Sequence, residues 1–333
     1  MGAFLGRRLL LTPLQALGVV TIVFVLVHLL PGDPAALIAG PQATASQIAQ
    51  IRANLGLTLP LPVQYAHYIV RVFQGDLGIS WYTSNPVTLD IAQRAPATLE
   101  LITLALTGIV LLGLIIAGVI AIAPRGIFGR AAAAYGFVAG ALPDFWFGLA
   151  LIFVIYVKAG LGPSPTGQLS SHYIIPAVTG VATIDALLAG DTAAFWNAVQ
   201  HLVLPVITLV FIYMGPVVRI TGAAATRSLD SDFIRFARAW GIAPWRRVLY
   251  ALRYIMPTFV IAVASTYGYL LGGAVLVETV FSWGGLGQYA VQAVANSDYA
   301  AIEGFVIIAG MFTVLVYTVA DVLQMALDPR MRR

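Results

Sequence analysis

The chain contains no cysteine, which excludes disulfides, thiolate chemistry and Cys-ligated metal. Its single lysine, Lys158, is followed by Ala159. A P-loop needs a glycine-rich turn ending in Lys and then Ser or Thr, so that amides and an ammonium cradle phosphates. No segment meets that requirement, so nucleotide hydrolysis must come from elsewhere. Charge is scarce: 10% of residues are Asp, Glu, Lys or Arg, against about 25% in an ordinary soluble domain. No pair of histidines has metal-ligand spacing: His67, His172 and His201 stand alone, and His28 reads as a satisfied interfacial histidine. The net charge of +4 does not point to nucleic acid, because the positive residues sit at the ends of apolar runs rather than in one patch.

What remains is apolar. Hydrophobic residues make up 60% of the chain, and long uncharged runs define an all-α integral membrane protein. The first run is Leu9 to Gly32, preceded by Arg7 and Arg8. It is too long for a signal-peptide core and fits a retained span. Further runs are Leu101 to Pro124 and Ala131 to Val157, the latter interrupted only by Asp144. Three more follow, at about Leu202 to Val218, Pro257 to Val277 and Gly304 to Ala320. Six spans place both termini on one side. One set of connections carries fourteen of the Arg and Lys residues and the other four, namely Arg52, Arg71, Arg94 and Lys158. The arginine-rich set, with the N and C termini, is therefore expected in the cytoplasm.

Outside the membrane the sequence predicts a long insertion over 31–96. Thr44 and Gln47 have capping-box spacing, with Ile48, Ile51 and Leu55 at helical intervals, and Gly56, Pro60 and Pro62 close that helix. Two further outer segments run from Leu161 to His201 and from Ser282 to Glu303. The length of these insertions suggests a small lid or docking surface.

The most charged internal segment is Asp230 to Pro257, which holds Arg235, Arg238, Arg246, Arg247 and Arg253. Asp230 or Ser231 can cap a helix with Asp232 in its first turn and Arg238 in its last, all in accord with the helix dipole. Gly241 then stops the helix and Pro244 opens a second. Phe236, Ala237, Ala239 and Trp240 fall on or near that turn. Small residues beside an exposed aromatic pair suit a knob that enters a groove on another protein. An amphipathic helix lying on lipid is the alternative.

Arg235-Phe-Ala-Arg-Ala-Trp-Gly241 followed by Pro244-Trp245-Arg-Arg resembles the "EAA" coupling loop of binding-protein-dependent ABC importer permeases. Other segments resemble the dipeptide, oligopeptide and nickel branch of that family, as the first of its two permease subunits. They are Arg7-Arg-Leu, Pro31-Gly-Asp-Pro34, Leu55-Gly-Leu57 with Pro60, Gln64-Tyr65 and His67-Tyr68. They continue with Gly75-Asp-Leu-Gly-Ile-Ser80, Ala97-Thr-Leu-Glu100 and Pro143-Asp-Phe-Trp146. Glu278-Thr-Val-Phe-Ser-Trp283, Gly285-Leu-Gly287 and Asp328-Pro-Arg330 complete the series. The set is colinear over nearly the whole chain. The family has Glu where this chain has Arg235, and its branch often has Pro where Gly284 stands.

The resemblance implies one permease domain over 1–333, with a core region over 97–329 and a cytoplasmic coupling loop over 228–256 between the fourth and fifth spans. It implies a multi-pass protein of the bacterial inner membrane with no cofactor of its own. It also implies a second permease, two cytoplasmic ATPases that bind ATP and Mg, and an extracytoplasmic substrate-binding protein. Arg235, Phe236, Ala237, Arg238, Ala239, Trp240, Gly241, Pro244 and Trp245 would meet the ATPase. The cargo would be di- or oligopeptides. Nickel chelates, glutathione, opines and oligosaccharides stay open because the binding protein largely selects cargo. A secondary transporter or channel would show inverted repeats and paired broken helices, and no internal repeat is evident.

Three acids fall in or beside apolar runs. Asp144 is costly in a span unless it faces water or a partner. It either lines the translocation path or caps a broken helix. Glu278 is expected to hold the outer turn through Ser282, and Asp321 to pair with a loop arginine. Glu100 is expected to open the second span, where a helix N-terminus favours an acid.

Overall fold

The computed structural model describes residues 2–29, 33–40, 42–122 and 126–327. Pro31-Gly32, Pro124, Arg125, Asp328 to Arg330, Arg332 and Arg333 lie outside the described residues, as do the side chains of Arg7 and Arg8. Among the described residues the fold is all helix, with one isolated bridge between Ile79 and Pro86.

α1 (Gly2–Leu29) is followed by three short helices, α2 (Pro34–Ala39), α3 (Ala45–Asn54) and α4 (Leu61–Phe73). Asp33 caps α2 by accepting the Ala35 amide at 3.0 Å. Its carboxyl is held below the usual aspartate range, first by the hydrogen bond from the Arg52 guanidinium. The capping box at α3 forms as expected: the Thr44 amide donates to Gln47 Oε1 at 2.8 Å and the Gln47 amide donates to Thr44 Oγ1 at 3.4 Å. Pro60 and Pro62 do more than end that helix. Pro60 is the N-cap of α4 and Pro62 sits in its first turn, where a missing N–H costs nothing.

The long helices overrun their apolar runs. α5 is Val87–Ile122, α9 is Thr192–Leu229, α11 is Pro244–Val280 and α13 is Tyr299–Leu327. α5 therefore starts well before Leu101, with Asp90 in its first turn, and Glu100 lies inside the helix rather than at its N-terminus. Pro96 and Pro257 are carried within α5 and α11. The segment from Pro244 to Pro257 is thus the first part of helix α11 and not a loop.

The third apolar run is the main departure from a simple bundle. It forms α6 (Ile127–Ala139) and α7 (Asp144–Leu151), and α7 continues as π-helical turns over Ile152–Lys158. The two arms meet at 107°. Pro143 explains the break: it lacks an amide donor and disfavours helical geometry at Leu142. Asp144 consequently begins the second arm instead of sitting inside a continuous span. α10 (Asp232–Ala239) links α9 to α11, and α12 (Leu286–Ala295) links α11 to α13. α8 (Ala182–Leu188) precedes α9.

α9 is the axis of the molecule, packed against α5, α6, α7, α8 and α11. Leu101, Ile109, Leu209, Val217, Ile255 and Leu270 are among the side chains of the main core. α1 and α13 pack on each other and leave most of their apolar surface open. Among the described residues, five helices are long and apolar enough to cross a membrane, or six crossings result if the bent pair is one span.

Candidate functional site

The first constellation is the turn between α10 and α11. Ser231 stands at the N-cap, Asp232 in the first turn and Arg238 in the last. Gly241 has φ +65°, a conformation that costs other residues about 1 kcal/mol or more. The Ile242 amide donates to the Ala237 carbonyl at 3.0 Å and the Gly241 amide to the Arg238 carbonyl at 3.1 Å. These are the two hydrogen bonds of a Schellman stop. Ile234 packs inward on Leu229, Val248 and Ala251, which fixes α10 to the start of α11.

The other face of the turn is open. Phe236 is 63% and Trp240 73% exposed, and their rings lie 5.4 Å apart. Trp245 is also exposed, with Arg246 over its ring at 5.1 Å. Arg235 faces solvent and approaches Asp232 at 3.6 Å, an exposed pair of little energetic consequence. Arg238, Ala239 and Pro244 are exposed as well. Ala237 is buried, so it shapes the turn through its carbonyl and offers no outward contact.

The second constellation surrounds Asp144. Its Oδ2 accepts the Tyr213 hydroxyl of α9 at 2.8 Å, and its Oδ1 accepts the Phe145 amide at 2.7 Å. Gly273 of α11 completes the junction. A Cβ there would lie 1.7 Å from the Tyr213 hydroxyl oxygen and 2.5 Å from Asp144 Oδ2, so only glycine fits. Phe147 stacks on Phe211 at 4.3 Å. Asp144 itself is half-buried, while Phe145, Trp146, Leu149 and Tyr269 nearby are exposed.

The third constellation joins sequence motifs far apart in the chain. Thr98 Oγ1 donates to Glu278 Oε1 at 2.6 Å and accepts the Leu286 amide at 2.7 Å. Glu278 Oε2 accepts the amides of Gly287 at 2.8 Å and Gln288 at 3.1 Å. These amides open α12, where the helix dipole favours a carboxylate. The Trp283 indole donates to the Ala97 carbonyl at 3.0 Å, and Glu100 accepts the Thr183 hydroxyl. Glu278 is fully buried. Its side chain thus clamps α5, α11 and α12 through Thr98 and the α12 amides, and the expected contact through Ser282 is not the one that forms. Gly285 and Gly287 let the carboxylate approach: a Cβ would meet Glu278 Oε2 at 2.6 Å and 3.0 Å respectively.

Sequence patterns do not single out Asp298, Asp90 or Asp185. Asp298 accepts the Ser80 hydroxyl and caps α13 at the Ala301 amide, 3.2 Å away. Its position just before Tyr299 is a helix-start signal. Asp90 accepts Thr83, Asn85 and Arg94, and Arg94 lies over the Tyr289 ring at 4.8 Å. Outside the spans, burial pushes the Asp185 carboxyl up, but hydrogen bonds from the Thr179 amide and hydroxyl and the Gly180 amide outweigh it, and its pKa is lowered.

Asp321 is half-buried in the last turns of α13. His28 bonds Phe24 O at 2.8 Å and Gln64 Oε1 at 3.3 Å. Among the described residues no three His, Cys, Asp or Glu gather as a metal site.

Residues 109–333 match the family model described as binding-protein-dependent transport system inner membrane component. Residues 1–102 match that of the binding-protein-dependent transport system membrane component, N-terminal. The chain is 38% identical to the probable D,D-dipeptide transport system permease protein DdpB of Escherichia coli K12, over 95% of this chain and 93% of that protein. It is 36% identical to the dipeptide transport system permease protein DppB of the same strain, over 99% and 98%. It is also 36% identical to the di/tripeptide transport system permease protein DppB of Pseudomonas aeruginosa UCBPP-PA14, over 100% and 99%.

Proposed function

The chain belongs to the family of binding-protein-dependent transport system inner membrane components, and from that premise we propose that it is a permease subunit of an ATP-driven importer of dipeptides and oligopeptides. It is a multi-pass protein of the bacterial inner membrane and a transport subunit, not an enzyme. The observation that carries the cargo class is near-complete coverage at 36–38% identity against three permeases whose names specify dipeptides or di/tripeptides.

In this reading the chain forms half of a path completed by a second permease. Two ATPases bind and hydrolyse ATP with Mg, and an extracytoplasmic binding protein delivers the peptide. The whole chain is one membrane domain, with a core over 97–329 and the coupling segment over 228–256. Both termini and the α10–α11 turn face the cytoplasm, a reading supported by the fourteen-to-four division of Arg and Lys. The open Phe236 and Trp240 rings, with Arg235, Arg238, Ala239, Gly241, Pro244 and Trp245 around them, dock on an ATPase. Ala237 acts from beneath by holding the turn.

Asp144 lines the path and meets the cationic group of the substrate. Its half-buried carboxylate, at a break between two helical arms and beside exposed aromatic side chains, supports that role. Glu278 is structural, as the hydrogen-bonded clamp between helices indicates. Asp321 pairs within the cytoplasmic end of the bundle.

The test is assembly and transport. Affinity purification of this chain should recover a second permease and Walker-containing ATPases, and proteoliposomes of that complex with its binding protein should import labelled dipeptide only with ATP inside. Recovery of a homo-oligomer that transports without ATP would overturn the assignment.

A further inference from the structure

The insertion after α1 looks polar in sequence, yet α4 does not project away from the bundle. Gln64 meets His28 near the end of α1, at 3.3 Å. The Tyr65 hydroxyl reaches Thr21 at 2.6 Å, about two turns inside the end of that helix. The Tyr68 ring lies 5.4 Å from that of Phe24. Tyr68 and Val72 share one buried cluster with Val20 and Val23 of α1 and Ile307 of α13. α4 therefore lies against the C-terminal part of α1, and its side chains reach Thr21, Val20 and Val23 well inside the end of that helix. Since α1 and α13 are both long enough to cross the membrane, their contacts set the depth of α4.

At that depth α4 presents a second face. Val63, Ala66, Val70 and Phe73 recur at helical spacing and are all exposed, Val70 by 52% and Phe73 by 63%. Along α1, Ile22, Val25, Leu26 and Leu29 are exposed over the same stretch. His67 and Arg71 of α4 and Gln74 at its C-cap lie to one side of the apolar stripe. A helix buried on one side and apolar on the other belongs in a medium that is itself apolar.

We propose that α4 is a re-entrant membrane helix, whose Val63–Ala66–Val70–Phe73 stripe contacts the acyl chains of the leaflet at the C-terminal end of α1. Lipid is favoured over a protein partner because the stripe shares its depth with the open face of α1. It carries no hydrogen-bonding or charged group to orient a partner. The inference rests on the membrane crossing of α1 and α13 and not on the coupling role of α10.

The absence of cysteine makes the test direct. Single-cysteine variants Val70→Cys and Val63→Cys, with Gln50→Cys in the exposed α3 as an aqueous control, are spin-labelled in the assembled importer in lipid nanodiscs. Collision rates with oxygen and with a water-soluble nickel chelate are then measured. The labels at 70 and 63 should collide severalfold more with oxygen than with nickel, and the label at 50 should show the reverse. Nickel access at 70 and 63 equal to that at 50 would overturn the proposal in favour of a solvent-facing lid. Low collision with both reagents would overturn it in favour of a covering protein. The two positions are read independently, so either variant that assembles decides the matter.

Discussion

At the residue scale, polar side chains act through the groups that surround them, and substitutions separate charge from geometry. Asp144→Asn keeps an acceptor and adds a donor, so the contact with Tyr213 survives while the charge is lost. Uptake by the reconstituted importer should fall about tenfold, on the scale of a charge-assisted hydrogen bond of ~1.5–3 kcal/mol, with recovery of the ATPases unchanged. Unaltered uptake would remove Asp144 from the path. Glu278 makes the opposite case. Glu278→Gln can turn its carbonyl to the amides of Gly287 and Gln288 and donate its amide to Thr98, whose hydroxyl rotates. That variant should be close to wild type in thermal unfolding of the complex. Glu278→Ala leaves the Thr98 hydroxyl and buried amides without their acceptor, each at about 1–3 kcal/mol, and its melting temperature should drop clearly. Equal stability of both variants would deny the clamp. Asp185 adds a pH dependence. Its folded pKa is lowered, so its contribution is complete above the ordinary aspartate value and lost as pH falls through the folded one. The protection factor of the Gly180 amide, taken relative to its intrinsic exchange rate at each pH, should fall on acidification, and Asp185→Asn should remove that pH response. These roles were only partly legible beforehand. Glu278, Thr98, Gly285 and Gly287 were visible as motif fragments, but their meeting depends on α11 and α12 folding back beside α5. Local spacing carries no record of such a contact.

At the element scale, what local chemistry determines was readable and what packing determines was not. The Thr44 capping box, the stop at Gly241 and the restart at Pro244 each rest on a few neighbouring residues. Helix length exceeds the apolar runs because hydropathy marks only the part of a helix that suits lipid. The start of α5 carries Asp90 and Arg94, which pair at 3.2 Å, so the helix continues through charged residues. Pro257 looked like a boundary, yet α11 runs through it, since neighbouring helices can satisfy the carbonyl a proline leaves free. Pro143 did break its helix, because Gly140 lies close by and Tyr213 and Gly273 hold the second arm at Asp144. The α10–α11 turn is the element whose geometry most directly bears on coupling. Gly241→Val forces a β-branched residue to φ +65°, at about 1–3 kcal/mol of strain. The importer should still assemble, but its ATPase should no longer respond to loaded binding protein. Preserved stimulation would dissociate the turn from coupling. Phe236→Ala with Trp240→Ala should instead weaken ATPase retention, at about 2 kcal/mol or more if these rings are the anchors of the interface.

At the scale of the whole molecule, the bent pair decides how many times the chain crosses the membrane. Its contacts spread along α9, and Tyr135 of α6 and Phe147 of α7 both reach Phe211. Gly136 and Ala139 lie against Gly215, Phe147 stacks on Phe211, and Gly148 approaches Thr208. Ile155 and Leu161 then line a cavity with His201, Val203 and Leu204. A re-entrant pair would return towards its starting level on α9, whereas here Gly136 and Ala139 of the first arm lie at Gly215 and Ile155 and Leu161 of the second lie near His201 and Leu204, towards the other end of the helix. The progression supports a sixth crossing despite the 107° bend, and an even number puts both termini on one side. Cysteine labelling reads the outcome without background, because the native chain has none. Ile174→Cys and Trp240→Cys sit on exposed residues at opposite ends of α9. With six crossings and the arginine-rich side inward, a membrane-impermeant maleimide should label position 174 in spheroplasts and reach position 240 only after the membrane is opened and the ATPases are stripped from it. Five crossings from the same starting orientation would invert the pattern, exposing 240 and protecting 174. That inversion would move the α10–α11 turn away from any cytoplasmic ATPase, so the labelling tests the coupling assignment through topology alone.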